Sequence, residues 1–391
     1  MKIVIATPIL FDKTSPFNHL FHDILEGFLQ GGHQVTRLVA VEAEEDTGYD
    51  LGIENDAISY IPVKRKAAAH GNIITRYIKD SLTNWKMARR LRKVKDAEVL
   101  FEDVSYSSWL AVKAAKKKGL RIVAMLQDVW PDNAVQSGLL KEGSLLYRFF
   151  EFFQRYVYKN ADRIVCISDD MKAFIASKGV PEEKIDVIYN WGYTDEIVEI
   201  PWNENEFVKK FDLQEDMFYA VYAGNIGRMQ NVELVLQAAE KLQNEEKIKF
   251  LIIGAGAREE NIKQMAEDMQ LTNVTFLPFQ PSQLATSIYS AAGANLIPLV
   301  PGGVKTALPS KTGVCLSCGQ PIVFAFGENC RFAKVVESYH AGVCVSAQNP
   351  EEMADAIRAL AANKKEKQYG LFYEKFVKAK NVEDYVGAIS R

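Results

Sequence analysis

The sequence predicts an α/β protein made of two doubly wound, Rossmann-like halves. Three observations lead there. Short apolar runs alternate with amphipathic helical stretches along most of the chain, the order that builds a parallel sheet with helices on both faces. That order breaks down between 190 and 205, where Asn, Gly, Thr and Pro cluster. At 391 residues the chain is also too long for one hydrophobic core, so two domains are expected.

The first series opens with KIVIAT at 2–7, a helical 18–31 and QVTRLVA at 34–40. Helical 74–94 leads to EVLF at 98–101, helical 107–118 to LRIVAML at 120–126, and helical 143–159 to RIVCI at 163–167. Helical 169–178 then leads to KIDVIY at 184–189, and the aperiodic 190–205 reads as a linker. A second series follows: strand 218–223, helix 231–243, strand 248–253, helix 257–269, strand 273–277, helix 282–291, then strands at 294–299, 321–325 and 343–346. The tail 351–391 reads as helical with a polar face. The division is therefore 1–195 for a first Rossmann-like domain, 196–372 for a second, and 373–391 for a last helix packing back on the first. Open sheets of this kind take ligands at the carboxyl ends of their strands, so a cleft between the two halves is the expected site.

Composition excludes several classes. With 48% hydrophobic, 25% charged and 11% aromatic residues, the chain is globular rather than disordered. A formal charge of -3 carries no global signature of nucleic-acid binding. Five scattered cysteines imply no disulfide framework and fit a reducing cytoplasm. MKIVIATPIL begins directly as a strand and does not read as a signal peptide. No run of about 18 apolar residues is present, so no membrane span is expected.

The most informative stretch is AVYAGNIGRMQN at 220–231. A buried strand, then Gly224 and Gly227 in the turn, then a helix, is the arrangement in which backbone comes close to a phosphate. Arg228 falls at or just before the helix start, where free N–H groups and the helix dipole favour an anion. Its planar, always-charged fork suits phosphate better than a lysine would. The same arginine would serve equally as a helix-start residue paired with a surface carboxylate. LIIGAGA at 251–257 adds Gly254 and Gly256, a bare G-x-G that is as consistent with a tight turn as with a ligand loop. A dinucleotide fingerprint is disfavoured, because no acidic residue ends the next strand at the right distance.

These pieces, with NADRIVCISDDMKAFIASKGVPEEKIDVIYNW at 160–191, GGHQVT at 31–36 and LPSKTGVCLSCGQPIVF at 308–324, occur in one order and spacing. In that set the chain resembles the retaining glycosyltransferases of family four, which have the two-lobed GT-B fold. The resemblance covers nearly the whole length. DVWPDN at 128–133 and the N-W dipeptide at 190–191 resemble a bacterial subset that builds capsule, O-antigen or exopolysaccharide units on a lipid carrier.

The resemblance implies a nucleotide-sugar donor, UDP by family habit, and a lipid-linked saccharide acceptor. No separate cofactor is implied. It places the donor on Gly224, Asn225, Gly227 and Arg228, on Gly254 and Gly256, on Phe279 and Gln280, and on Lys305, Pro309, Ser310 and Lys311. Arg228 and Lys311 would stabilise the departing diphosphate without a metal, and no Asp-x-Asp triplet occurs in the sequence. Gln127 looks like the replacement for a family histidine at the donor sugar, and Asp128 would orient the acceptor hydroxyl or the WPDN loop. Asp103 and the Ser15–Asn18 loop are further candidates.

Two departures stand out. The family's paired glutamates before the last G-x-P correspond to Thr306 and Val314, and a valine cannot accept a ribose hydroxyl hydrogen bond. The usual lysine after Gly-Arg is also missing, since Met229, Gln230 and Asn231 follow, so Lys305 or Lys311 would supply that charge. An inactive partner of a true transferase, or a nucleotide-sugar epimerase, are the alternatives.

The run 64–95 carries eleven Lys or Arg against one acid, Asp80. Ile74, Ile78, Leu82, Trp85 and Leu91 fall near one helical stripe, so this segment reads either as a core-facing helix or as a peripheral contact with anionic membrane at the cytoplasmic face. Most of the aromatic run at 147–158 is assigned to the core. Cys315 and Cys318 read as small buried apolar side chains, and His19 and His22 as surface or cap residues; no metal site is expected.

Overall fold

The apolar runs form strands and the amphipathic stretches form helices, in two units. The computed structural model describes residues 1–10, 18–42, 49–65, 73–327, 329–363 and 367–391. Unit 1 comprises Met1–Val135, Leu140–Tyr189 and Ala379–Arg391; unit 2 comprises Gln136–Leu139 and Asn190–Lys378.

Unit 1 contains β1 (Lys2–Leu10), α1 (Asn18–Gln30), β2 (Gln34–Val41), β3 (Ile58–Lys64), α2 (Ile73–Leu91), β4 (Val99–Asp103) and α3 (Trp109–Lys117). It continues with β5 (Arg121–Leu126), α4 (Asp132–Gln136, whose last residue groups with unit 2), α5 (Leu145–Asn160), β6 (Arg163–Cys166), α6 (Asp169–Ser177) and β7 (Ile185–Val187). All strands are parallel, in the order β3-β2-β1-β4-β5-β6-β7. Ser144 and Ser168 begin α5 and α6 by accepting the backbone N–H of Tyr147 and Met171.

Unit 2 contains α7 (Glu206–Phe211), β8 (Phe218–Ala223), α8 (Val232–Lys241), β9 (Ile248–Ile253), α9 (Glu259–Asp268), β10 (Val274–Leu277) and α10 (Ala285–Ser290). It closes with β11 (Ala294–Pro298), α11 (Lys311–Ser317), β12 (Ile322–Ala325), α12 (Arg331–Ser338), β13 (Val343–Val345) and α13 (Pro350–Ala362). Its parallel order, β10-β9-β8-β11-β12-β13, reverses direction between β8 and β11. That reversal is where the loops after neighbouring strands splay apart and leave room for a ligand. Tyr222, Phe250, Leu296 and Val323 are all but fully buried, and α8 and α13 lie over them with Val235, Leu236 and Met353. Each such side chain contributes about 1.5–3 kcal/mol by leaving water.

The joint falls at Tyr189/Asn190 rather than at 195/196. The Asn-Trp-Gly segment belongs to unit 2 because Trp191 is buried and Gly192 packs on the backbone of Gly313 in α11. At the other end, α14 (Lys378–Ser390) groups with unit 1 almost entirely. There Asn381 donates to the Tyr189 carbonyl at 2.8 Å, and Val382 occupies the space beside Gly27. Phe372 stays buried in unit 2, which moves that boundary past 373.

Strand β3 is absent from the elements that the sequence predicts. Ile58–Lys64 pairs with β2 as an edge strand, the one position where Pro62 costs no ladder hydrogen bond to a further neighbour. Helix α2 also turns the opposite way from a core-facing apolar stripe. Met87, Ala88 and Leu91 are buried, whereas Ile78, Leu82 and Trp85 are exposed. Among the described residues no helix is long and apolar enough to cross a membrane.

Candidate functional site

The loops after β8 and β9 interlock through their backbones. The Gly224 N–H donates to the Ile253 carbonyl at 2.9 Å, Ile226 to Ala255 at 2.9 Å, and Arg258 to Ile226 at 3.0 Å. A Cβ on Gly254 would lie 1.9 Å from the Gly224 carbonyl oxygen, and one on Gly256 would lie 2.4 Å from that of Ile226. The G-x-G glycines are therefore required by loop-on-loop packing. Protein, not a ligand, fills the space their side chains would take.

Gly224 is different. Beside it lies only the ammonium of Lys311, 3.2 Å from where a Cβ would stand. Lys311 Nζ donates to the Ala223 carbonyl at 2.8 Å and sits 3.9 Å from the centre of the Tyr222 ring. A carbonyl and a π-face are its partners, and among the described residues no carboxylate pairs with it. Burial lowers its pKa from 10.5 to about 8, although part of the side chain reaches solvent. The sign follows from the charged form being the one penalised. Between about 8 and 10.5 the folded protein holds fewer protons than the unfolded chain, so this group makes the ligand-free fold more stable as pH rises.

Arg228 lies in the turn just ahead of α8, where its sequence position put it. The helix cap is Asn231, whose side chain is spent on the carbonyls of Leu299 and Ala347. The first turn of α8 already carries Glu233, bonded to Arg258 at 2.5 Å. Arg228 is exposed, and among the described residues it makes no ion pair or side-chain hydrogen bond; its pairing with a surface carboxylate is not found. Lys305, exposed in the 3-10 turn Gly303–Lys305, is likewise unpaired. Arg228, Lys305 and Lys311 thus follow β8 and β11, the two strands flanking the reversal of order in this sheet.

The remaining residues read onto this face divide. Asn225 and Ser310 are exposed, Phe279 projects into solvent after β10, and Pro309 gives its carbonyl to the Thr312 hydroxyl at 2.7 Å. Gly227 adjoins the side-chain amides of Asn225 and Gln230. Gln280 is buried and its side chain is engaged within the fold, with Lys210 at 2.8 Å and the Pro278 carbonyl at 2.8 Å. Thr306 is fully buried and gives its hydroxyl to Gln136. Val314 is buried on α11, which carries no carboxylate. Cys315 and Cys318 are buried, and burial pushes the Cys318 thiol up to about 11.

In unit 1 the corresponding strand ends carry acids. Asp103 closes β4 and is buried, and Asp128 follows β5 on an exposed loop beside the half-buried Gln127. Burial lifts Asp103 to about 7 against the pull of Arg37, with Asp128 adding to the rise. Asp128 is also shifted upward by desolvation, although its side chain reaches water. Glu102, fully buried on the other face of β4, is held well above its ordinary value by burial, though Ser108 favours its charged form. Arg37 was not singled out from the sequence. A charged residue inside VTRLVA was the available signal, and it proves buried, donating to the Tyr49 carbonyl at 2.7 Å. Asp132 of the WPDN element is a structural anchor, bonded by Tyr147 Oη and Lys178 Nζ, each at 2.9 Å. Residues 15–17 lie outside the described residues. His22 stands 3.6 Å from both Asp23 and Glu26, the one group among the described residues close enough to share an ion.

Comparison with known proteins agrees with this architecture. A family model described as Glycosyltransferase Family 4 matches residues 18–195, and one described as Glycosyl transferases group 1 matches 203–379. The probable glycosyltransferase WbjE of Pseudomonas aeruginosa is 26% identical over 61% of this chain and 59% of its own length. The putative colanic acid biosynthesis glycosyl transferase WcaI of Escherichia coli is 27% identical over 62% and 61%. The chain thus spans about three-fifths of the length of these curated relatives. Anabaena HepE, solved in complex with UDP-glucose, superposes with a TM-score of 0.70 at 13% identity, covering 100% of this chain and 99% of that one. Two parallel-sheet units in this order are the GT-B fold, and with one family model on each half the chain belongs to the glycosyltransferases built from a Family 4 half and a group 1 half.

Proposed function

We propose that the protein is a retaining glycosyltransferase that moves a sugar from a UDP-linked donor to a lipid-linked saccharide in bacterial surface polysaccharide assembly. The observation that carries this reading is the set of three cations, Arg228, Lys305 and Lys311, without carboxylate partners among the described residues, on the loops after β8 and β11. Uncompensated positive charge at a strand-order reversal suits a diphosphate. HepE was solved with UDP-glucose, and the name of WcaI refers to colanic acid biosynthesis, which supports the donor class and the setting.

In this mechanism the bond between the anomeric carbon and the diphosphate oxygen breaks, and its electron pair passes to the diphosphate. Arg228 and Lys311 stabilise the charge that grows there, more strongly than in the ground state. The acceptor oxygen forms its bond on the face the diphosphate leaves, and its proton passes to the departing phosphate. Phe279 offers an exposed aromatic face for the base.

A second reading, an inactive partner of an active transferase, is favoured by Val314 and by the engaged hydroxyl of Thr306. Thermal unfolding with UDP, GDP, ADP, TDP and NAD separates the two. At a hundredfold excess over Kd a ligand stabilises by about 2.7 kcal/mol, a shift of several degrees. UDP alone is expected to give that shift, and silence across the panel would favour the inactive partner.

The lowered pKa of Lys311 adds a second expectation. A diphosphate beside the ammonium raises its pKa again, so binding UDP at about pH 8.5 should take up protons. UDP affinity should then fall as pH rises through this range, opposite in sign to the effect on the ligand-free fold. Calorimetry in two buffers of different ionisation enthalpy reads the uptake directly; identical heats would remove Lys311 from the nucleotide site.

A further inference from the structure

Among the described residues, more than half of the exposed large hydrophobic side chains gather on one region of unit 1, formed by α2, α3 and α5. On α2 they are Ile78, Leu82 and Trp85, spaced four and three residues apart. On α5 they are Leu145, Phe149 and Phe152, at the same spacing, with Leu145 86% and Phe152 68% exposed. The aromatic run of α5 is thus divided. Tyr147, Phe150, Val157 and Tyr158 are buried, in keeping with a core assignment for most of it, while Phe149 and Phe152 face out. Tyr77 joins the two helices, its ring edge-on to Phe149 at 5.4 Å. Between them Tyr77, Leu82, Trp85 and Leu110 line a shallow groove whose walls are almost wholly apolar.

Cations surround this surface. Lys86, Arg89, Arg90, Arg92 and Lys93 are exposed at and beyond the end of α2. Arg148, Arg155 and Lys159 are exposed along α5, and Lys113, Lys116 and Lys117 along α3. The only acid between 73 and 95 is Asp80, which is buried and paired with Arg65 at 2.5 Å. Glu151 of α5 is occupied by Arg155 and Lys178.

We infer that this face docks on an anionic lipid bilayer. Apolar and aromatic side chains between lysines and arginines are the pattern that lies in a bilayer interface, rings among the acyl chains and cations at the headgroups. A second copy of the chain is the poorer occupant, because its identical face would bring like charges together. The segment 64–95 marked by its charge in the sequence is only half of this surface; α5 supplies the most exposed apolar residues. The inference stands apart from the transferase reading and would hold for an inactive partner.

The test is flotation of the full chain with phosphatidylglycerol or phosphatidylcholine vesicles. The protein should float with phosphatidylglycerol and not with phosphatidylcholine, and salt should weaken the binding. The double substitutions Leu82→Glu with Trp85→Glu, and Phe149→Glu with Phe152→Glu, replace exposed side chains. Each should weaken binding at least about tenfold, with melting temperature and UDP-induced shift unchanged. The triple substitution of Arg89, Arg90 and Lys93 by serine should weaken it without touching an apolar contact. Failure of the unaltered protein to float, or equal flotation of the variants, would overturn the proposal. A dimer in sedimentation velocity that Trp85→Glu dissolves would overturn it too, by assigning the face to a second copy.

Discussion

Arg228→Ala is expected to lower turnover by about 100- to 1,000-fold, the effect of removing one preorganised charge donor from a transition state. The melting temperature should stay within a degree or so, since an exposed side chain with no partner among the described residues contributes little to the fold. UDP affinity should fall as well, because the diphosphate is charged before the bond breaks. Lys311→Met separates the same charge effect from packing. Methionine keeps the apolar stem against Tyr222 and removes an ammonium whose burial is unfavourable. Turnover should drop by a similar factor while the ligand-free protein keeps its stability. The proton uptake on binding UDP should disappear in Lys311→Met and persist in Arg228→Ala. Measured kcat/KM and UDP affinity for the two variants decide the matter. An Arg228→Ala enzyme with normal nucleotide affinity would place the diphosphate elsewhere.

The strands were readable because a parallel sheet buries both faces, and runs such as FYAVYA and KFLII have no other stable place in a folded chain. Edge strand β3 was hidden by the opposite circumstance. It is only partly buried, it carries Pro62, and its residues do not form an apolar run. Orientation was the harder quantity. Helix α2 has apolar residues on two faces, and periodicity says that stripes exist without saying which one the sheet covers. The choice depends on the buried polar contacts of Asn84 with Ser105 and Ser107, which no local pattern announces. At the site, Arg228 and Lys311 were legible as charges on loops. That the G-x-G glycines serve a neighbouring loop, that Gln280 is held by Lys210, and that Arg37 faces Asp103 all depend on partners distant in sequence.

Gly254→Ala should be the most damaging single-methyl change in unit 2. The added carbon would stand 1.9 Å from the Gly224 carbonyl oxygen and 2.9 Å from its carbon, at a φ of +147° that L-residues rarely adopt. Neither backbone can retreat at low cost. Gly254 is tied from behind by its N–H to the Leu277 carbonyl at 3.1 Å, and Gly224 is tied by its own N–H to Ile253. Overpacking against fixed backbone, with the backbone strain added, costs about 3 kcal/mol or more. For a unit of this size that lowers the melting temperature by about 6–12 °C. Gly179→Ala is the comparison. Its φ is +90° but nothing lies within 4 Å of the added carbon, so only conformational strain remains, about 1–2 kcal/mol. Gly254→Ala should also loosen UDP binding, because displacing Gly224 moves the carbonyl of Ala223 that holds Lys311. Equal melting of the two variants would mean that the loops after β8 and β9 do not interlock, and the ammonium would then lose the support that sets its position.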